Sequence, residues 1–411
     1  MQRLLLSAVL LLTTAIAFAQ EPAKPKLVLA GDRFPGLTYE ELTSAQKVIA
    51  DRALAGRGAI GIFNITLRSP ELSDAMRGII SSRTPPLITA KQNELAILLA
   101  ARYWNAQFEF LVHHRVGARA GLSEQTIADI IEGKRPAALD PDEAPVYNFV
   151  TEVLNTKHVS DANFQAAKEA LGEKRIVDII GLVGFYQTGA MMMNTDRYPL
   201  GGQKPDLQPL AAPLPVSSGT ASTPQSGERF KPLTPEEMTP AQKNLMDLLV
   251  SGKIEGGTRG PVNILLRSPD IGEAILRYGA YERFHTPLPI KLNELAALIT
   301  IRHWTSQFPW YAHHRAAKQA GLSEAVIAAI AEGTKPAGLQ PDEQAVYNFC
   351  TELLRATQVS DATFNTIKQQ LGERGVVEIM GVMGYYQTVS MLVNIDRYPL
   401  PDGATPELKP L

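Results

Sequence analysis

The sequence predicts an all-α protein built from two tandem helical domains packed as a pseudo-dimer. One stretch occurs twice, apolar residues recur at helical spacing, and no run keeps the alternation of a half-buried strand. The repeated stretch is N-E-L-A-x-L-x-x-x-R-x-W-x-x-Q-F-x-x-x-x-H-H-R, from Asn93 to Arg115 and from Asn293 to Arg315. The offset is 200 at both ends (293 − 93 and 315 − 115), so no residue is gained or lost between the copies. That period is too long for a solenoid and fits whole domains.

The length of 411 residues suits two cores better than one. A hydrophobic content of 45% with 20% charged residues describes an ordinary globular chain and excludes a disordered one. Met1 to Ala19 reads as an export signal, with Arg3, an apolar run Leu4–Ile16 and the small-x-small site Ala17-Phe18-Ala19. The run is shorter than the ~20 residues needed to span a bilayer. Cleavage removes one Arg and no acid, leaving 39 − 42 = −3, a balance that favours neither nucleic acid nor a membrane surface. The expected location is periplasmic or secreted. A single cysteine, Cys350, excludes an internal disulfide and a thiol pair, and reads as a small core residue where the first copy has Val150.

The first domain is expected over residues 34–200 and the second over 230–400, joined by a Pro/Gly/Ser/Ala-rich linker over 201–229. In the first copy Glu94 begins a helix with the stripe Leu95, Leu98 and Leu99. Asn105, and Ser306 in the second copy, are expected to cap the next helix, and Pro309 suits a first turn. Ser123 opens a helix that Gly133 stops, and Val146 to Leu154 carries helical spacing. Ser160-Asp161 and Leu171-Gly172 bracket another helix, followed by a very apolar one from Glu173 to Met193.

Glu109 and His113 are four apart and share a helix face. Glu109 sits in the first turn, where the helix dipole favours its ionised form, so the two make an acid–base pair with Glu94 as a third member. His114 is rotated by about 100° from His113, so the adjacent histidines do not form one chelate. Glu94 has the alternative of an ion pair with Arg102 or Arg115, and Trp104 and Trp304 that of core packing. Glu94, Glu109 and His113 would also suit a metal, but the second copy offers only Glu294 and His313, so no metal is expected.

Several stretches together resemble the carboxymuconolactone decarboxylase and alkylhydroperoxidase (AhpD-like) superfamily, and the resemblance covers both copies. They are R-S-P-E-L (68–72) with Asn64 before it, E-L-A-I-L-L-A-A-R-Y-W-N-A-Q-F-E-F-L-V-H-H (94–114), A-G-L-S-E-Q-T-I-A-D-I-I-E-G (120–133) and G-F-Y-Q-T (184–188). The resemblance implies an all-helical unit that assembles as trimers or hexamers, hence a homo-oligomer, a trimer of tandem chains. In the peroxidase branch a glutamate and a histidine, matched by Glu94 and His113, flank a C-x-x-C. Those cysteine positions fall on Ala106 and Glu109, and on Ser306 and Pro309. Without thiols, thiol peroxidase activity is not expected.

The decarboxylase branch needs no cysteine and no cofactor. It implies acid/base chemistry on a small organic acid or lactone, with Glu94, Glu109, His113, Glu294 and His313 as catalytic candidates. Arg102, Arg115, Arg302 and Arg315 are candidates for holding a substrate carboxylate, and Trp104 and Trp304 for contacting the substrate. Pro309 replaces Glu109, so the second copy works only if Glu294, His313 and Arg302 suffice. The alternative is a non-catalytic, exported ligand-binding or scaffold protein of the same fold.

Overall fold

A computed structural model describes residues 27–55, 61–81, 88–203, 207–216 and 227–410. The expected export signal lies outside the described residues. The described residues form sixteen α-helices and no strand.

The first half runs α1 (Ser44–Ala55), α2 (Phe63–Thr66), α3 (Pro70–Ser81), α4 (Ala90–Tyr103), α5 (Gln107–Ala120), α6 (Glu124–Ile131), α7 (Ala144–Thr156) and α8 (Asp161–Asp196). The second runs α9 (Pro240–Val250), α10 (Val262–Leu265), α11 (Pro269–Ala280), a π-helical turn (Tyr281–His285), α12 (Ile290–His303), α13 (Gln307–Gln319), α14 (Glu324–Ala331), α15 (Pro341–Ala356) and α16 (Asp361–Asp396).

Most boundaries follow local chemistry. Ser123 caps α6 by accepting from the Thr126 N–H, and Gly133 takes a left-handed conformation (φ 75°) two residues beyond its end. Ser160 caps α8 through the Asn163 N–H, and Gly172 (φ 79°, ψ 162°) breaks that long helix where the sequence places a boundary. Two expectations are corrected. α4 starts at Ala90 rather than Glu94, because Thr89 and Gln92 form a reciprocal capping box upstream of the apolar stripe. Asn105 does not cap α5: it is itself left-handed (φ 49°), its carboxamide oxygen accepts from Arg102, and Ala106 stands at the cap. Ser306 does hold the cap position of α13, yet its hydroxyl makes no capping bond.

The C-terminal parts of α8 and α16 form the centre of the molecule and pack on each other. By length and composition either could cross a membrane, but 89% and 100% of their apolar windows are buried, as in core helices. Contacts between the halves come in exchanged pairs. Arg33 pairs with Asp361 and Arg229 with Asp161, both at 2.7 Å. Arg68 pairs with Glu373 and Arg267 with Glu173. Gln187 donates to Met391 Sδ and Gln387 to Met191 Sδ. Cys350 is fully buried in this core, and burial pushes its thiol pKa well up.

The expected linker is not uniformly loose. Residues 207–216 lie as an extended strap across α4, α6 and α7, with Leu207 and Leu214 buried. Arg102 donates to the Gln208 carbonyl, Asn155 to that of Leu214 and Tyr147 to that of Pro215.

Lys157, left-handed at the end of α7, donates to Tyr103 Oη at 2.6 Å and sits 4.9 Å from the Trp304 ring centroid in the other half. Burial lowers its pKa from 10.5 to about 7. Between these values the unfolded chain binds the proton and the folded chain does not, so stability falls as pH drops from 10.5 to 7. Denaturant titrations at several pH values should show Lys157→Met losing this dependence, by about 1 kcal/mol per pH unit relative to the parent. Parallel profiles would contradict it.

Candidate active site

Each half places a glutamate of one helix (Glu94 of α4, Glu294 of α12) against a histidine of the next (His113 of α5, His313 of α13). His113 Nδ1 lies 2.6 Å from Glu94 Oε2, and His313 Nδ1 lies 2.7 Å from Glu294 Oε2. The reverse between α4 and α5 (through left-handed Asn105), and between α12 and α13 (through Thr305), brings residues 19 apart in sequence together. A carboxylate at Nδ1 holds the proton there, which leaves Nε2 as the basic nitrogen. An aromatic ring stands edge-on to each imidazole, Tyr186 at 4.9 Å and Tyr386 at 4.6 Å between centroids.

Glu109 does not join the pair. It is 4% exposed, Oε1 has no hydrogen-bond partner, and burial raises its pKa well above the usual carboxylate range. Burial therefore outweighs the first-turn dipole and disfavours the ionised form of Glu109. Its Oε2 occupies the space beside Gly189, 3.0 Å from where a Cβ would stand. The second half has Pro309 and Val389 at these two places, so apolar bulk replaces the acid and its glycine together.

Arg102 is not placed to bind a substrate carboxylate. It is buried, with Nε donating to the Ile130 carbonyl, Nη1 to Asn105 and Nη2 to Gln208. Arg302 is equally buried, and its Nη1 donates to Thr305 Oγ1. Trp104 and Trp304 are core residues, 1% and 0% exposed, with the Trp104 indole N–H donating to Gln187. Burial of these four side chains removes them from the site. Arg115 is exposed and donates to Gln203, whereas Arg315 lines a cavity.

That cavity, about 730 Å³, opens beside His313. Arg259, Arg283 and Arg315 lie on its wall, and none pairs with a carboxylate among the described residues. Tyr386 also lines it; its hydroxyl is buried without a partner, and burial holds its pKa well above 10.0, so it remains a donor. Arg259, Arg283 and Tyr386 were not singled out by the sequence. Arg259 lies in a connecting segment and Arg283 in the π-helical turn, both outside the repeated stretch, and Tyr386 shares G-x-Y-Q-T with the first copy without any sign of its burial. The second histidines bind elsewhere: His114 meets Glu124 at 3.1 Å, while His314 contacts Glu407 at 2.6 Å and Glu324 at 3.2 Å. Burial opposes protonation of His314, but the two carboxylates prevail and raise its pKa.

Chemically, each half offers an imidazole oriented by a carboxylate, and the second adds a cationic cavity and a buried phenol. Comparisons with known protein families, with curated proteins and with solved structures give no match.

Proposed function

We propose that the chain is an exported, cofactor-free acid/base catalyst of the carboxymuconolactone decarboxylase type, acting on a small organic acid or lactone. In this reading two tandem domains of that fold form a pseudo-dimer, and three chains assemble into a homotrimer. The observation that carries the proposal is the Glu294–His313 hydrogen bond beside a cavity whose arginines pair with no carboxylate among the described residues. The arginines attract and orient a substrate carboxylate. As a carbon–carbon bond breaks and carbon dioxide departs, the bonding pair stays on the substrate carbon. A protonated His313 Nε2 then delivers a proton to that carbon, and Glu294 stabilises the imidazolium beforehand. Tyr386 donates to the enolate-like oxygen that carries the charge meanwhile. The second half, rather than the first, is thus the better working half despite Pro309.

Calorimetric titration of the mature chain with small dicarboxylates tests the binding step. Arg283→Ala and Arg315→Ala should each weaken binding by ~10-fold, the value of one charge-assisted hydrogen bond. Affinities unchanged by both substitutions would remove the arginines from the site. Dicarboxylate binding without turnover of any acid or lactone would favour a ligand-binding protein of the same fold.

A further inference from the structure

The two copies keep an offset of 200 from Asn93 and Asn293 onwards to Leu200 and Leu400, but not just before it. From Asn64 to Asn93 is 29 positions (93 − 64), and from Asn263 to Asn293 is 30 (293 − 263), so the second copy has one residue more in this interval. The interval holds the π-helical turn Tyr281–His285, in which the Thr286 N–H donates to the Tyr281 carbonyl five residues back at 2.9 Å. A π-turn is a helix with one residue added, and such additions concentrate at functional sites.

The turn sends neighbouring side chains in opposite directions. Arg283 is exposed on the wall of the cavity beside His313, with Nη1 3.3 Å from where a Cβ of Gly256 would stand. Glu282 is 0% exposed, bonds to no partner among the described residues, and fills the space beside Gly381, where a Cβ would stand 2.4 Å from its Oε1. Both ends of the turn are fastened to one carboxylate of α16. Tyr281 Oη donates to Glu378 Oε1 at 2.8 Å, and Thr286 Oγ1 donates to Oε2 at 3.0 Å. Glu378 is itself 0% exposed; its Oε1 also accepts from Ser69 Oγ of the first half, and Arg374 Nε lies 3.7 Å away. The Glu282 carbonyl accepts from Asn293 Nδ2 at 2.6 Å, which ties the turn to α12 one residue before Glu294.

We propose, resting on the cavity's role in binding a substrate carboxylate, that Glu378 is a positioning residue for Arg283. It clips the added turn at both ends so that the guanidinium faces the substrate, and Ser69 makes the second half's site depend on the first half. A carboxylate acceptor strengthens each hydroxyl bond, and a turn held at both ends loses little freedom when Arg283 binds. Tyr281, Thr286, Ser69 and Glu378 form no hydrogen bond with His313 or Glu294 among the described residues, so the clip acts on binding rather than on proton transfer.

A double-mutant cycle on the full mature chain, read by calorimetric titration with succinate and adipate, tests this. Tyr281→Phe with Thr286→Val removes both hydroxyls while keeping the side-chain shapes, and should weaken binding by ~10-fold, about as much as Arg283→Ala. Ser69→Ala, a change in the other half, should weaken it in the same direction. Added to Arg283→Ala, the hydroxyl losses should change nothing further, because no guanidinium remains to be placed. Loosening of the structure alone would weaken binding with and without Arg283, and that result would overturn the proposal while leaving the cavity a carboxylate site. So would hydroxyl losses without effect in a chain that Arg283→Ala does weaken. Binding that Arg283→Ala leaves unchanged, or no binding by the parent, would remove the arginine from the site and the positioning role with it.

Discussion

Gly184→Val is expected to destabilise the protein by ~3 kcal/mol or more. α8 and α16 cross where Gly184 meets Thr388 and Gly384 meets Thr188. A Cβ at either glycine would stand 2.1 Å from the facing threonine Oγ1, and Thr388 Cβ and Cγ2 follow at 3.0 Å from the former. Both threonine hydroxyls are committed to the carbonyl four residues back, Thr188 to Gly184 and Thr388 to Gly384, so neither rotates away freely. A branched side chain therefore has to separate two buried helices, and the contacts between the halves loosen with them. The midpoint of denaturant unfolding should fall sharply, while Val250→Ala, at an exposed position, should stay within about 0.5 kcal/mol of the parent. A Gly184→Val midpoint equal to the parent's would contradict the close crossing.

Glu294→Gln should lower turnover by ~10²- to 10⁴-fold while leaving the fold intact. The change is nearly isosteric, but an amide facing His313 Nδ1 can donate as well as accept. Donation to Nδ1 moves the imidazole proton of the neutral ring to Nε2, so no lone pair faces the cavity to take up the proton that Nε2 is to deliver. The effect should appear in kcat more than in KM, because Glu294 orients the acid without touching the substrate. A KM effect alone would make the pair a structural link between α12 and α13. The matching substitution Glu94→Gln should alter activity less, since the arginine-lined cavity lies beside His313.

What the sequence made legible was local. Ser123, Gly133, Ser160 and Gly172 mark helix ends through bonds and dihedral angles spanning only a few residues, and those boundaries held. The partner of His113 was harder to choose. Glu109 lies four residues away on the same helix, but its side chain turns into the core beside Gly189, and Glu94 takes the imidazole instead. Arg102 looks functional beside a tryptophan in a repeated motif, yet Gln208, more than a hundred residues away, supplies a carbonyl that occupies it. Burial of the strap left no periodic signal, because an extended proline-containing segment has neither helical nor strand alternation. Arg259, in a connection, and Arg283, in the π-helical turn, approach His313 only through the way whole helices pack.

Turnover of γ-carboxymuconolactone, followed by absorbance with the purified mature chain and with His113→Ala and His313→Ala alongside, tests acid/base catalysis at the cavity most directly. Turnover is expected, reduced by at least ~10²-fold in His313→Ala and by much less in His113→Ala. Turnover equal in all three proteins, or lost only in His113→Ala, would contradict the assignment of the working site to the second half.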